Sequence, residues 1–207
     1  MRHHYEGRGE LAARRAAGLA GGIATLPEPV AALGTTVWEA RLPVRVDTRE
    51  QRPLDFFSNH VEVTRGTIPV FDYSLEGDEN NFAVEYKNED DFVQSLVMSD
   101  SLRRELQKIE RARATWADKT LPIIYVVSSS FQDIFLYDFE IFSSGRVHPQ
   151  FFFHQVSDFI FKHRVCVLFA GDRTGASFAV TLLLKRRAAD IARQKKATIL
   201  LDVSGAL

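Results

Sequence analysis

The sequence predicts an α/β fold with a central mixed sheet flanked by helices, and three observations carry that prediction. Short runs rich in Val, Ile, Phe and Tyr recur between residues 44 and 87, then at 123–127 and around Cys166. Between the later runs, apolar residues fall three to four apart, the helical period. Strands alternating with helices imply parallel members in the second half of the sheet. A chain of 207 residues, 45% hydrophobic and with 16 Phe, suits one folded domain with a sizeable core.

The elements run in order along the chain. Residues 1–40 differ from the rest: Leu11 to Gly22 is rich in Ala, Gly and Arg, and Pro27 and Pro29 interrupt the stretch after it. This part reads as an irregular or partly helical arm, and 41–207 as the domain. Val44 to Thr48 and His60 to Thr64 read as strands. Val70 to Leu75 and Phe82 to Lys87 form a hairpin across Glu76–Asn81. Helical spacing begins near Asp90 with Phe92 and Leu96, is broken or re-capped at Ser99-Asp100-Ser101, and resumes with Leu102, Leu106 and Ile109. Pro122 opens a strand over Ile123–Val127. A helix from about Pro149 to His163, the Cys166 strand and a helix from about Thr174 to Gln194 complete the chain.

Composition narrows the function. One cysteine, Cys166, excludes a disulfide framework and a cysteine zinc site, and its apolar setting predicts a buried, inert thiol. No apolar run approaches the roughly 18 residues of a membrane span. No continuous apolar core marks a signal peptide at the N-terminus. No membrane partner is expected, and an intracellular location is the expectation: cytoplasm or nucleoid, or nucleus in a eukaryote. The net charge of −1 shows no overall basic excess. Nucleic-acid binding would need local patches, or acidic residues that hold cations.

The chemistry concentrates in one strand. Asn81-Phe82-Ala83-Val84-Glu85-Tyr86-Lys87 places a carboxylate and an ammonium two residues apart in an otherwise apolar run, and Asp72 lies in the preceding strand. Charges in a half-buried strand are costly unless paired or metal-bound. If the hairpin turn centres between Asp78 and Glu79, Asp72 lies directly opposite Glu85. Opposed residues share a face with Cβ atoms roughly 5 Å apart, and alternation puts Lys87 on that face. Carboxylates so close repel unless one is protonated or a cation lies between them. Hard oxygen ligands suit Mg²⁺ or Mn²⁺, which would activate water, with Lys87 orienting it or stabilising charge on a phosphoryl oxygen. Asp47 and Glu50 could complete the acidic cluster. The same residues also fit an ion-pair cluster on a solvated sheet face.

Several motifs in one order sharpen this. Val46-Asp47-Thr48-Arg49-Glu50, then Asp72-Tyr73, then Glu85-Tyr86-Lys87 and Asp91 together resemble the nuclease domain of the XPF family of structure-specific DNA endonucleases. These belong to the PD-(D/E)XK superfamily, and the resemblance runs from about Val44 to Arg193. It implies a restriction-endonuclease-like fold and a Mg²⁺- or Mn²⁺-dependent endonuclease acting on branched, flap or single-strand/double-strand junction DNA. Asp72 and Glu85 would bind metal, with the Tyr86 carbonyl as a further ligand. Lys87 would be the catalytic lysine. Asp47, Arg49 and Glu50 would support the metal or scissile phosphate, and Asp91 would support the site from the next helix. Two positions depart from the family pattern: Phe71 stands where the family has Gly, and Tyr86 where it has Arg. In the register above they oppose each other and would pair on the face away from the carboxylates. The family's tandem helix-hairpin-helix module is not found before Leu207, so branch specificity would come from the nuclease domain, the arm, or a homodimeric or heterodimeric partner. The family also has inactive members, which leaves a non-catalytic DNA-binding or scaffold subunit as the alternative, and a defence or phage nuclease of the same superfamily as a third.

Other charged stretches are less specific. Arg104, Lys108 and Arg111 share a helical face and, with Arg103 and Arg113, could track phosphates; a solvated face with Glu105 and Glu110 interleaved fits equally. Lys185-Arg186-Arg187 and Lys195-Lys196 read as a solvated face. Arg14-Arg15 could touch a DNA backbone. Gly171-Asp172-Arg173-Thr174-Gly175 reads as a helix-capping turn, and His148 and His154 as structural or exposed. The Phe151-Phe152-Phe153 and Phe131-to-Phe142 clusters read as core or a protein interface.

Overall fold

A computed structural model describes residues 41–56, 60–139 and 147–204, with side chains described up to 196. These residues fall within one unit, Ala40–Leu207. The arm over 1–40, with Arg14-Arg15, and Phe142 lie outside the described residues.

Six strands form one sheet in the order β2-β1-β3-β4-β5-β6. β1 (Leu42–Asp47) pairs parallel with β2 (Val61–Gly66) and antiparallel with β3 (Tyr73–Leu75). β3 pairs antiparallel with β4 (Val84–Lys87), and β4, β5 (Ile123–Val127) and β6 (Val165–Phe169) run parallel. The sheet is therefore mixed, and its second half is parallel as the alternation of strands and helices predicts. Parallel strands need crossovers, and in the second half of the sheet helices supply them. Between β4 and β5 run α1 (Glu89–Val97) and α2 (Ser99–Thr115). Between β5 and β6 run α3 (Phe131–Phe135) and α4 (Pro149–Phe161), and α5 (Arg173–Ser204) closes the chain. α5 continues ten residues beyond the expected end at Gln194.

Local chemistry explains the boundaries that frame the site. The Asn88 side chain caps α1 by accepting the Asp91 N–H, so a helix starts at Glu89, two residues after the β4 strand ends at Lys87. At Met98, ψ of 119° breaks the helical path between Phe92/Leu96 and Ile109, where the Ser99-Asp100-Ser101 signal lies. All five residues of β5 are buried, as expected of a strand covered on both faces. Phe92, Phe152, Tyr125 and Phe159 fill the core between the sheet and α1, α2 and α4.

The capping turn at 171–175 forms as expected: Asp172 Oδ1 accepts the Gly175 N–H at 2.7 Å. A Cβ on Gly175 would stand 1.9 Å from the Ala170 carbonyl oxygen, so only glycine fits there. His148 caps α4 through Nδ1, and His154 is exposed.

Three expectations change. Cys166 is exposed, because β6 is the sheet's edge strand and its outer face is only partly covered. Arg187 is not part of a solvated face: it is 9% exposed, and its guanidinium makes a two-pronged contact with Asp78 at 2.6 and 3.0 Å. The aromatic clusters divide. Phe152 is buried in the core, whereas Phe131, Phe135 and Phe151 are largely exposed.

Candidate functional site: a buried carboxylate–lysine cluster on the third and fourth strands

β3 meets β4 with Tyr73 opposite Val84. One step outward along that register stands Asp72 opposite Glu85, the pairing that a turn centred between Asp78 and Glu79 implies. The ladder stops there because Phe71 turns into the left-handed region, with φ of 74°. Three hydrogen bonds then fix Asp72. Its N–H donates to Val84 O at 3.1 Å, its carbonyl accepts the Asp47 N–H at 2.9 Å, and its Oδ2 accepts the Tyr86 N–H at 2.8 Å. The last bond ties its carboxylate to the strand that carries Glu85 and Lys87.

Glu85 is 2% exposed. Its Oε1 meets Lys87 Nζ at 3.1 Å and Lys108 Nζ at 2.7 Å. Its Oε2 is buried without a hydrogen-bond partner. Such an atom costs about 1–3 kcal/mol when nothing satisfies it. Lys87 also donates to Glu105 Oε1 at 3.1 Å, and Glu105 Oε2 accepts the Tyr125 hydroxyl at 2.9 Å. Lys108 lies 3.3 Å from Glu105 Oε1. Two carboxylates and two ammoniums thus form a closed cluster between β4 and α2.

The electrostatics follow from burial and these partners. Burial pushes the Asp72 carboxyl well above its ordinary range, and the Glu85 charge pushes it further; the Tyr86 N–H and the two lysines only partly offset this. Burial also pushes Glu85 upward, but Lys87 and Lys108 outweigh it and hold Glu85 below its ordinary value. For Lys87, burial disfavours the charge, and Glu85 and Glu105 more than reverse that, so its ammonium stays protonated. The same balance raises Lys108.

Asp47 has a different task. It is 1% exposed, and four donors converge on its carboxylate: Arg49 N–H at 2.8 Å, Arg49 Nε at 2.6 Å, Arg49 Nη2 at 3.1 Å and Ile68 N–H at 2.7 Å. Glu50 accepts the Arg52 N–H at 2.6 Å. Among the described residues, no group of three or more His, Cys, Asp or Glu could hold a metal ion, so Asp47 and Glu50 do not complete an acidic cluster with Asp72 and Glu85. The physical reason is that Asp47's oxygens are saturated where β1 ends. Arg49 bridges Asp47 and Ile68 O, stays 64% exposed along its side chain, and feels the charges of Asp72 and Glu85.

An ERCC4-domain model matches residues 46–173, well over half of the chain. The chain belongs to the ERCC4-domain family. The match supports a DNA structure-specific nuclease family. The fold agrees. It is similar to "XPF from Aeropyrum pernix, complex with DNA", with a TM-score of 0.52 and 19% identity over 72% of this chain and 66% of that one. It is similar also to "XPF from Aeropyrum pernix", with a TM-score of 0.51 and 18% identity over 73% of this chain and 69% of that one. The chain therefore spans about two thirds of those structures, just under that share in the DNA-bound one. The architecture is the restriction-endonuclease-like fold, a mixed sheet flanked by helices. No curated protein matches in sequence.

Within the ERCC4 domain, the structure brings Asp72, Glu85 and Lys87 together and leaves other expected residues elsewhere. Asp91 is exposed and forms a capping pair with Asn88, its N–H to Asn88 Oδ1 at 2.8 Å and Asn88 Nδ2 to its Oδ2 at 2.7 Å. The pair fixes where α1 starts after Lys87. Arg103 pairs with Asp100, and Arg104 bonds Ser101; with Arg111 both are exposed. Lys108 leaves that row and turns inward to Glu85, because Glu85 is buried beside α2 and attracts the nearest long cation. The Phe71–Tyr86 pair does not form. The left-handed turn sends Phe71 onto Tyr125 and Trp116, at centroid distances of 5.8 and 6.1 Å, while Tyr86 packs edge-on to Tyr73 at 6.4 Å.

Sequence reasoning missed Glu105, which it placed on a solvated face. The signal was available: Glu105, Ile109 and Ala112 are the buried residues of α2, and their spacing of four and three makes one helical stripe. A carboxylate on an apolar stripe needs a buried partner, and Lys87 is that partner.

Proposed function

We propose that this chain is a divalent-metal-dependent DNA endonuclease that hydrolyses phosphodiester bonds in branched, flap or junction DNA. One observation carries the reading: a buried Glu85 with an unsatisfied oxygen, opposed by Asp72 and flanked by a protonated Lys87, within an ERCC4 domain. A DNA complex among the similar structures supports DNA as the substrate.

The residues present fit a hard cation. Mg²⁺ is held by one or two carboxylates together with waters and substrate phosphates, so Asp72 and Glu85 suffice without a third acidic ligand. The partnerless Glu85 Oε2, and a Glu85 charge that pushes Asp72 upward, fit two carboxylates arranged to share a cation. The Tyr86 carbonyl is the further ligand in this reading. When bound, such a metal lowers the pKa of water and offsets charge on a phosphoryl oxygen.

The chain's own groups supply the rest. Lys87 is protonated and held by two carboxylates, so it does not accept the water's proton. Its ammonium donates to the attacking oxygen or to a non-bridging phosphoryl oxygen as charge builds there. Glu105 and Tyr125 position Lys87 rather than touch the substrate. Hydrolysis forms one P–O bond to the water oxygen and breaks another. The water gives up a proton to solvent, and the leaving oxygen gains one. Arg103, Arg104 and Arg111 on α2, and Arg49 just after β1, are exposed cations that would meet phosphates.

The test is a panel of duplex, single-stranded, flap and four-way-junction DNA with and without Mn²⁺. Cleavage of branched substrates is expected, with Asp72→Asn and Lys87→Met each slower by about 10²–10³-fold, the loss typical of removing one transition-state contact. Equal cutting by both variants would sink the assignment. A second reading, a DNA-binding subunit without catalysis, draws on Lys108 holding Glu85. Tight binding of branched DNA with no cleavage under any metal would select it.

A further inference from the structure

Two ammoniums share one oxygen of Glu85, and they are not equivalent. Lys87 is 10% exposed along its side chain, and a second carboxylate, Glu105, holds it at 3.1 Å. It has nowhere else to go. Lys108 is 37% exposed, and its contact with Glu105 is longer, at 3.3 Å. It reaches Glu85 from the surface of α2 on a flexible four-carbon stem.

Counting charges separates the two lysines further. Glu85 and Glu105 pair with Lys87 and Lys108, two negative charges with two positive ones. Were a divalent cation held by Asp72 and Glu85, its charge and that of Lys87 would already balance the three carboxylates Asp72, Glu85 and Glu105. Lys108 is then one positive charge too many in a buried site, and it is the one with a way out.

Resting on the metal-dependent reading above, we propose that Lys108 is a displaceable counter-ion of the site. It holds Glu85 while no divalent cation is bound and withdraws to solvent when one binds. Metal and Lys108 therefore compete for Glu85. Once withdrawn, Lys108 rejoins the exposed row of Arg104 and Arg111, four residues before it and three after, where phosphates would hold it away from Glu85. DNA and metal binding would then favour each other.

The experiment is calorimetric titration of the full chain with Mn²⁺, without DNA, in the native protein and in Lys108→Met, Lys108→Gln and Glu85→Gln. Both Lys108 variants should bind Mn²⁺ at least about fivefold more tightly than the native chain, the low end of couplings between linked sites. Equal or weaker binding in both, while Glu85→Gln weakens it, overturns the counter-ion role and leaves the metal site standing. If Glu85→Gln binds Mn²⁺ as the native chain does, the metal reading fails and takes the proposal with it. Urea unfolding of both variants is the companion measurement. Loss of the fold in both would show Lys108 to be a structural ion that cannot leave, which also overturns the idea.

Discussion

Phe71 is the residue whose replacement tests the site's backbone most directly. It is 3% exposed, packs edge-on against Tyr125 and Trp116, and holds φ at 74°. Two effects oppose each other at this position. Removing a buried Phe side chain costs about 3–5 kcal/mol. A left-handed conformation costs a residue with a Cβ about 1–2 kcal/mol, which glycine escapes. Glycine in turn loses about 0.5–1 kcal/mol through the greater freedom of its unfolded chain. Phe71→Gly is therefore expected to destabilise by about 2–4 kcal/mol, since packing outweighs strain. Phe71→Ala loses the same packing and keeps the strain, so it should be less stable than Phe71→Gly by about 0.5–1 kcal/mol, the reverse of the usual order. Equilibrium urea unfolding of the three proteins at one pH measures both differences. A Phe71→Gly as stable as the native chain refutes the packing account. An alanine variant more stable than the glycine variant refutes the left-handed turn, and with it the explanation of where the strand ladder ends and Asp72 begins to bond Tyr86.

Buried charges carry two further expected outcomes. Burial raises the Asp47 carboxyl, but the donors from Arg49 and Ile68 outweigh it and leave the group below its ordinary value of 3.8. The unfolded chain therefore binds this proton at a higher pH than the folded chain does. The stabilisation is fully present above 3.8 and is lost as pH falls through the lower folded value. Asp47→Asn should cost about 2–4 kcal/mol at neutral pH through lost charge-assisted bonds, and its acid-unfolding curve should be flatter; an unchanged acid slope would count against this role. Arg187 and Asp78 are each 9% exposed along their side chains, so Arg187→Met should cost about 3–5 kcal/mol by leaving Asp78 buried and unpaired. Adding Asp78→Asn should recover much of that loss in a double-mutant cycle; strictly additive losses would rule the coupling out.

Much of this was legible in the sequence because it was local or periodic. The hairpin register came from turn position and alternation alone, and it sets Asp72 opposite Glu85. Phe92 and Leu96 located α1, and the Ser99-Asp100-Ser101 break fell at Met98, where the backbone leaves the helix. The parts that stayed hidden depend on distant packing. Nothing in 44–87 says that a helix beginning at Ser99 will lay Glu105 and Lys108 over Glu85. Cys166 lies in an apolar run whichever strand of the sheet it occupies, so only the strand order reveals its exposure. Arg187 sits in a basic triplet, and its partner Asp78 lies 109 residues away in a turn.

Packing fixes both positions at which this chain departs from the pattern it resembles, Phe71 and Tyr86. Glycine adopts a φ near 74° without strain, and Phe71 adopts it at a cost because Tyr125 and Trp116 give its ring a place to pack. The backbone that presents Asp72 is held by packing rather than by glycine's freedom. Tyr86 presents a phenol, and a guanidinium lies against it. Arg173, at the start of α5, lies 5.9 Å over the Tyr86 ring and 3.4 Å from its hydroxyl, and is anchored on the Arg52 and Pro53 carbonyls. The positive charge beside the fourth strand is thus supplied by a helix 87 residues further along. It is held there by the Arg52 and Pro53 carbonyls together with the Tyr86 ring and hydroxyl, so the residue between Glu85 and Lys87 is one of its anchors.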